Sequence, residues 1–472
     1  MAHPELRGAG REGETSAGPA PVPIVALIAI CLGYFMTILD TTIVTVALPN
    51  LGHELGVTVT GLQWAVDGYA LVFASLLLSA GALGDRLGSR QVFLAGLLLF
   101  TIASGLCGLA PTIWALVASR VIQGVGAALL VPTSLALLRY TFDDAASRAR
   151  AVGIWGGIAG LGAAGGPVLG GVLVAAFGWR SVFLVNIPIG ILGALLTLRF
   201  VVRVPRLPQR GLDLPAQLTA VLALGLLTVA AIQGAAWGWG SPLVLGSLGV
   251  AVLATIVFLA IERRSPTPML PLGLFRTPTF SAGTAVGFLI NFGFYGQLFL
   301  LSLFFQQVRG FSPLLTGFAL LPESGMASVA SALSGRLTGR LGPRPSMVLG
   351  LALGGAGLLS LALVGTGTAY LILVPMLAAV GFGMAFTMPA ATTAVVDAAP
   401  AERAGIASGV INASRQLGGV LGVALLGGLV NQHGFFVPGM HVALAIAGGA
   451  FLFGCLVTLR AVTSGPSHGD AP

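Results

Sequence analysis

Gly81-Ala82-Leu83-Gly84-Asp85-Arg86-Leu87-Gly88-Ser89-Arg90 recurs as Gly335-Arg336-Leu337-Thr338-Gly339-Arg340-Leu341-Gly342-Pro343-Arg344, with six of ten positions identical at an offset of 254 residues. Two further anchors follow in the same order. Gly124, Gly126, Ala128 and Pro132 pair with Gly381, Gly383, Ala385 and Pro389 at an offset of 257, and Arg148-Ala149 pairs with Arg403-Ala404 at 255. Glycine and alanine are common in this chain, so the second and third matches carry weight only because they keep the order and nearly the offset of the first. The chain therefore contains one architecture twice.

The repeated unit is apolar. Hydrophobic residues make up 56% of the chain and charged residues 8%, whereas soluble domains carry about 25% charge. Apolar runs between charges mark fourteen spans, at 24–46, 62–83, 91–110, 112–138, 151–176, 181–202, 214–234, 243–261, 281–306, 313–335, 346–365, 369–395, 404–430 and 439–461. A helix crosses a bilayer in about 20 residues, so these runs predict an all-α polytopic membrane protein. The repeat offset maps span 2 onto span 10 and span 4 onto span 12. Each half is then six helices, with spans 7 and 8 inserted between the halves. The expected organisation is a polar tail over 1–22, a first half over 23–202, an inserted pair over 203–265, a linker over 266–280, a second half over 281–461 and a tail over 462–472.

Arginine placement predicts the orientation, because basic residues accumulate in short cytoplasmic loops. With the amino terminus inside, 19 of the 23 basic residues fall on the cytoplasmic side, Arg180 and Arg309 fall outside, and Arg120 and Arg415 lie within spans. Both termini are expected in the cytoplasm of a multi-pass protein of the plasma membrane. This asymmetry accounts for the net charge of +8 without a nucleic-acid partner. The first residues lack the basic region, apolar core and cleavage site of a signal peptide.

Every basic residue is arginine. Without lysine there is no Walker A loop and no Schiff-base cofactor, so a single-chain ATP-driven pump is excluded. Cys31, Cys107 and Cys455 lie in apolar spans without metal-ligand spacing and read as packing residues. His53, His433 and His441 fall in or near outer loops and form no cluster. No metal, cofactor, nucleophile-base set or enzymatic activity is expected.

Asp40 is the residue that needs explaining. A carboxylate inside a spanning helix costs about 2.5–3.5 kcal/mol on insertion scales, and such residues mark substrate, ion or proton pathways. Asp67 in span 2 and Glu323 after Pro322 in span 10 pose the same question. At 1.5 Å per residue, Asp40 lies roughly 12 Å and Asp67 about 8 Å below the outer surface, facing one cavity. Glu323 falls near the midplane. A guanidinium does not lose its proton in a protein, so Arg120 must snorkel, pair with an acid or line water. Arg415, Asn412 and Gln416 in span 13 are placed to face Glu323.

Two parallel six-helix halves resemble the major facilitator transporters, whose substrate sites lie between the halves near the midplane. Four motifs narrow the resemblance to the fourteen-helix drug:proton antiporters of that superfamily. The first is Gly81 through Arg90, read as the loop between spans 2 and 3. Its Gly81, Gly84, Asp85, Arg86, Gly88 and Arg90 match the family's cytoplasmic latch, and Gly339 replaces the acid in the second copy. The second is Arg120-Val121-Ile122-Gln123-Gly124-Val125-Gly126, whose arginine the family assigns to proton coupling. The third is the antiporter helix motif of span 5, with Gly153, Gly162, Gly166, Pro167, Gly170 and Gly171 at every expected position; its bend is associated with export. The fourth is Leu39 through Pro49 with Leu62 through Tyr69.

The resemblance implies proton coupling through Asp40, Arg120, Asp67 and Glu323. The substrate pocket candidates are Gln123, Asn291, Tyr295, Gln297, Asn412 and Arg415. The expected activity is proton-coupled export of a drug or antibiotic-like small molecule, conferring resistance. The alternatives are export of an endogenous metabolite such as an amino acid, siderophore or self-made antibiotic, and, more remotely, a membrane sensor that moves nothing. The partners expected are the substrate, protons and the bilayer, acting on a monomer. The acids need a route to water for this reading to hold.

Overall fold

The computed structural model describes residues 21–142, 144–204, 213–265, 268–400, 403–430 and 436–463. The expected tails fall almost wholly outside these residues, as do Arg206, Arg210 and His433. Among the described residues the chain is helical with no strand, which is how a chain in hydrocarbon satisfies its backbone polar groups internally.

α1 (Pro21–Leu55), α2 (Val59–Leu87), α3 (Ser89–Gly108), α4 (Ile113–Thr141) and α5 (Ala145–Phe177) make the first five spans. The sixth is divided at Val185 into α6 (Ser181–Leu184) and α7 (Asn186–Phe200). The inserted pair is α8 (Leu214–Trp237) and α9 (Pro242–Arg264). The second half begins with α10 (Pro278–Leu303), continues through α11 (Pro313–Ala319), α12 (Leu321–Leu341), α13 (Pro343–Leu361), α14 (Tyr370–Asp397) and α15 (Ala404–Gly428), and ends with α16 (Phe436–Ala461). Among the described residues thirteen helices are long and apolar enough to cross a membrane. The fourteenth crossing, predicted as one span over 313–335, is made by α11 and α12 together.

Pro322 explains that break. It has no N–H to offer the carbonyl four residues back, so the ladder cannot run through unbroken. The consequence is that Glu323 sits in the first turn of α12, at a helix start inside the membrane.

The packing repeats with the sequence. α1 lies on α4, α5 and α7, and α10 lies on α14, α15 and α16. α4 packs against α2 and α3 as α14 packs against α12 and α13. Gly88 and Gly342 turn the chain at equivalent places, with φ of 100° and 80°, a backbone region that side chains rarely enter. The decapeptide that defines the repeat is thus not the loop its composition predicts. It is the end of α2 and the start of α3, with only Gly88 between them.

Across the seam, α2 meets α15 and α5 meets α11 and α12. Side-chain hydrogen bonds join the halves at the arginine-poor end. Gln63 of α2 donates to the Val423 and Ala424 carbonyls of α15 at 2.9 and 2.7 Å. Ser302 and Gln306 donate to the Thr45 and Val46 carbonyls of α1 at 2.6 and 2.9 Å. Toward the arginine-rich end of α5, a Cβ added at Gly153, Gly156, Gly157 or Gly160 would meet nothing within 4 Å, and the same holds at Gly335 and Gly339 of α12. The α5–α12 seam is sealed at one end and open at the other.

The inserted pair stands outside both halves. α8 touches α2 and α15, one helix from each half. Gln217 holds it to α2 through the Ser75 carbonyl at 2.8 Å and the Ser79 hydroxyl, while Ala231 and Ile232 rest on Ala424, Leu421 and Leu425 of α15.

Candidate functional site

Asp40 and Arg120 form a fully buried ion pair between α1 and α4, with 0% and 1% of their side chains exposed. Arg120 and Gln123 are three residues apart, hence on one face of α4. The guanidinium donates through Nε to the Ala65 carbonyl at 3.0 Å and through Nη1 to Gln123 Oε1 at 2.8 Å. It lies 4.2 Å from the centre of the Tyr69 ring and 5.8 Å from that of Phe183, within cation–π range.

Two amides complete the cluster. Gln123 Nε2 donates to Asp40 Oδ1 at 2.9 Å and to Ser104 at 3.2 Å. Asn186 Nδ2 donates to the same carboxylate oxygen at 3.3 Å and to Ser104 Oγ at 3.0 Å, and the Ser104 hydroxyl donates to the Phe183 carbonyl at 2.9 Å. Four helices contribute hydrogen-bonding side chains, and α2 contributes the Ala65 carbonyl and the Tyr69 ring. A buried pair needs this kind of secondary hydrogen bonding, because mutual attraction alone does not offset the loss of water.

Gln123 was expected in the substrate pocket. It instead holds the ion pair, and Cys107, expected only to pack, points its thiol at Gln123 Oε1 at 3.6 Å. Tyr69, Ser104 and Asn186 were not foreseen as site residues. The available signal was Asn186, an amide in an otherwise apolar span; serine and tyrosine gave none.

Asp67 does not join this cluster. It is fully buried on α2, and neither carboxylate oxygen has a hydrogen-bond partner. Glu323 is 2% exposed and accepts from Gln297 Nε2 of α10 at 3.1 Å, its other oxygen unpartnered. The three acids do not line one open cavity, and none reaches water in this conformation.

The motif residues separate by place. Arg90 donates to the Thr197 and Leu198 carbonyls at the end of α7 at 3.4 and 2.5 Å, and Arg344 donates to the Leu459 carbonyl of α16 at 2.5 Å. Each basic group caps the carbonyl end of the sixth helix of its own half, where cations are favoured. Gly84 lies against Thr133 of α4; Gly81 and Asp85 are half-buried and Arg86 is exposed. In α5, Gly162, Gly166 and Gly170 lie against α1, where a Cβ at Gly170 would sit 2.8 Å from the Ile43 carbonyl. Gly171 faces the other half, 2.7 Å from the Pro313 carbonyl by the same measure, and Gly317 of α11 answers it against Pro167. Gly153 is exposed. Small residues let the two halves touch backbone to backbone at the sealed end.

Arg415 does not meet Glu323. Its Nη1 donates to Asn412 Oδ1 of the same helix at 3.1 Å, and Tyr34 of α1 and Tyr295 of α10 lie within electrostatic reach. Tyr34 stacks on Trp155 of α5 at 3.8 Å, and Trp155 donates to Ser134 at 3.1 Å. Tyr34, Trp155, Tyr295, Asn412 and Arg415 are all partly exposed, and they come from both halves. Asn291 is buried instead, its Oδ1 without a partner. Among the described residues no group of side chains has the composition of a metal site.

Comparison with known proteins gives a consistent picture. The sequence matches the model of the Major Facilitator Superfamily over residues 30–423. It is 37% identical to the methylenomycin A resistance protein of Streptomyces coelicolor, covering 96% of each chain. It is 42% identical to the multidrug resistance protein Stp of Mycobacterium tuberculosis, covering 86% of this chain and 76% of that one. Among solved structures it resembles a POT family transporter in complex with a thioalcohol-conjugated peptide, with a TM-score of 0.70 at 15% identity, covering 94% and 96% of the chains.

Proposed function

The chain belongs to the major facilitator superfamily, and on that premise we propose that it exports a drug or antibiotic-like small molecule across the plasma membrane in exchange for protons. It is a multi-pass membrane protein and not an enzyme. Relatives named for resistance to methylenomycin A, to multiple drugs and to tetracenomycin C support the direction and the kind of cargo.

The observation that carries the coupling is the sealed Asp40–Arg120 pair. Arg120 cannot give up its proton, so only Asp40 can change charge within the pair. Protonating Asp40 leaves the guanidinium buried against a neutral acid, and breaking such a pair costs about 3–5 kcal/mol. A conformation that hydrates or re-pairs Arg120 then becomes the favoured one, which ties the proton to the movement of the halves. The inward drop of one charge through 100 mV supplies about 2.3 kcal/mol.

Orientation follows from the arginines. If the arginine-rich end is cytoplasmic, the seal made by Gln63, Ser302, Gln306 and Gly171 closes the outer side, and the open α5–α12 seam admits cargo from inside. Both termini are then cytoplasmic. One chain supplies both halves, so the working unit is a monomer.

The test is uptake into inverted membrane vesicles under an imposed inside-acid gradient, across a panel of antibiotics. Gradient-driven accumulation that Asp40→Asn abolishes is the expected result. Absence of uptake for every compound, or uptake unchanged in Asp40→Asn, overturns the reading.

A further inference from the structure

Arg415 is a permanent cation at the centre of α15, eleven residues from its first residue, hence roughly 16 Å into the membrane. Such a charge is normally matched by an acid or by water. Among the described residues the membrane interior holds one ion pair, and it belongs to Arg120. Among the described residues no carboxylate lies within ion-pair distance of Arg415. Its Nη1 bonds only the amide oxygen of Asn412, and its Nε is buried without a partner.

Asp67, which has no hydrogen-bond partner, lies beyond ion-pair distance of Arg415, and Asp40 and Glu323 are held elsewhere. Asp40 is held by Arg120, Gln123 and Asn186, and Glu323 accepts from Gln297. The phenols of Tyr34 and Tyr295 lie within electrostatic reach of the guanidinium. Tyr34 extends through its stack on Trp155 into a flat aromatic surface. Close packing at Gly287 and Gly419 fixes the arrangement, since a Cβ there would meet Arg415 Cγ at 3.2 Å and the Tyr295 ring at 3.1 Å.

We propose that Arg415 is the recognition group for an anionic cargo: a compound with an aromatic or apolar body, set against Tyr34 and Trp155, and a carboxylate received by the guanidinium. This rests on the export reading and narrows it. A guanidinium offers two parallel N–H groups to a carboxylate, and Nε is one of the donors that a side-on carboxylate uses. A cationic drug at the same place meets an unscreened like charge and no acid to offset it.

The test uses inverted vesicles under the imposed gradient with matched compounds followed by mass spectrometry. Fusidate and nalidixate are the anions, their methyl esters the neutral forms, and ethidium and tetraphenylphosphonium the cations. The expected result is at least tenfold faster uptake of the acids than of their esters, lost in Arg415→Gln and partly kept in Arg415→Lys. Membrane level and melting temperature establish that both variants fold. Uptake of the cations or esters with the acids excluded, or uptake of the acids unchanged in Arg415→Gln, overturns the assignment while leaving export standing. Uptake of nothing at all removes both.

Discussion

Glu323 stands in the second half where Tyr69 stands in the first. They are 254 residues apart, the offset of the repeated decapeptide, and each has its backbone carbonyl against an equivalent glycine, Tyr69 against Gly124 and Glu323 against Gly381. What surrounds them differs. Tyr69 lies beneath the Arg120 guanidinium, and the residue 257 after Arg120 is Leu377. The two halves share a frame and divide the charges unequally: an arginine-paired acid and the unpartnered Asp67 in one, an acid held by an amide in the other.

That asymmetry predicts different outcomes for two similar substitutions. Glu323→Gln removes a charge that has no cation to lose, so the fold should hold within about 1 kcal/mol, the size of an ordinary hydrogen-bond change. Protons moved per substrate, measured by pH-dye release in vesicles, should fall if Glu323 carries one of them. An unchanged ratio excludes it as a proton site.

Asp40→Asn should cost stability as well as coupling, because Arg120 is left buried and unpaired. We expect a loss of about 3–5 kcal/mol, read as a fall in melting temperature in detergent. Asp40→Asn together with Arg120→Leu should recover much of the stability and none of the gradient-driven uptake. If the double variant is no more stable than the single one, the pair is not what holds α1 to α4.

Asn186 offers a gentler probe of the same cluster. Asn186→Leu takes one donor from Asp40 and one from Ser104, and leaving buried acceptors unmet costs about 1–3 kcal/mol. The pH profile of uptake should shift while binding of cargo persists. A profile identical to wild type would leave Asn186 a packing residue.

Gly171→Leu tests the seal. The side chain would drive into the backbone of Pro313 and Leu314, with an overpacking cost of about 1–3 kcal/mol. The sealed conformation should lose population. A cysteine placed at Thr45, buried in the seal, should then react several-fold faster with a membrane-impermeant maleimide. No change in labelling would mean that this contact does not govern closure.

Much of this was legible before the structure. Hydrophobic run length gave the spans, because a bilayer imposes one length on all of them, and the repeat gave the division into halves. The halves of span 10 were not legible as two helices, although Pro322 was in plain view, since prolines elsewhere, such as Pro167 and Pro389, sit inside helices that continue. Asp40 and Arg120 announced themselves by the expense of burying charge. Their pairing depends on the rotation of α1 against α4, which no spacing encodes. Gln123 was misplaced for that reason; Asn186 stood out as an amide in an apolar span, whereas the hydroxyl of Ser104 gave no signal of its own.

The inserted helices have a bearing on how the halves rock. α8 is hydrogen-bonded to α2 through Gln217, yet against α15 it sets small and aliphatic residues, Ala231, Ile232 and Ala235 meeting Leu421, Ala424, Leu425 and Gly428. Polar contacts break at a cost, whereas smooth apolar ones slip. The hairpin is therefore a passenger on the first half, fastened to one wall of the machine and greased against the other, and it can stay aboard through every cycle without acting as a brake.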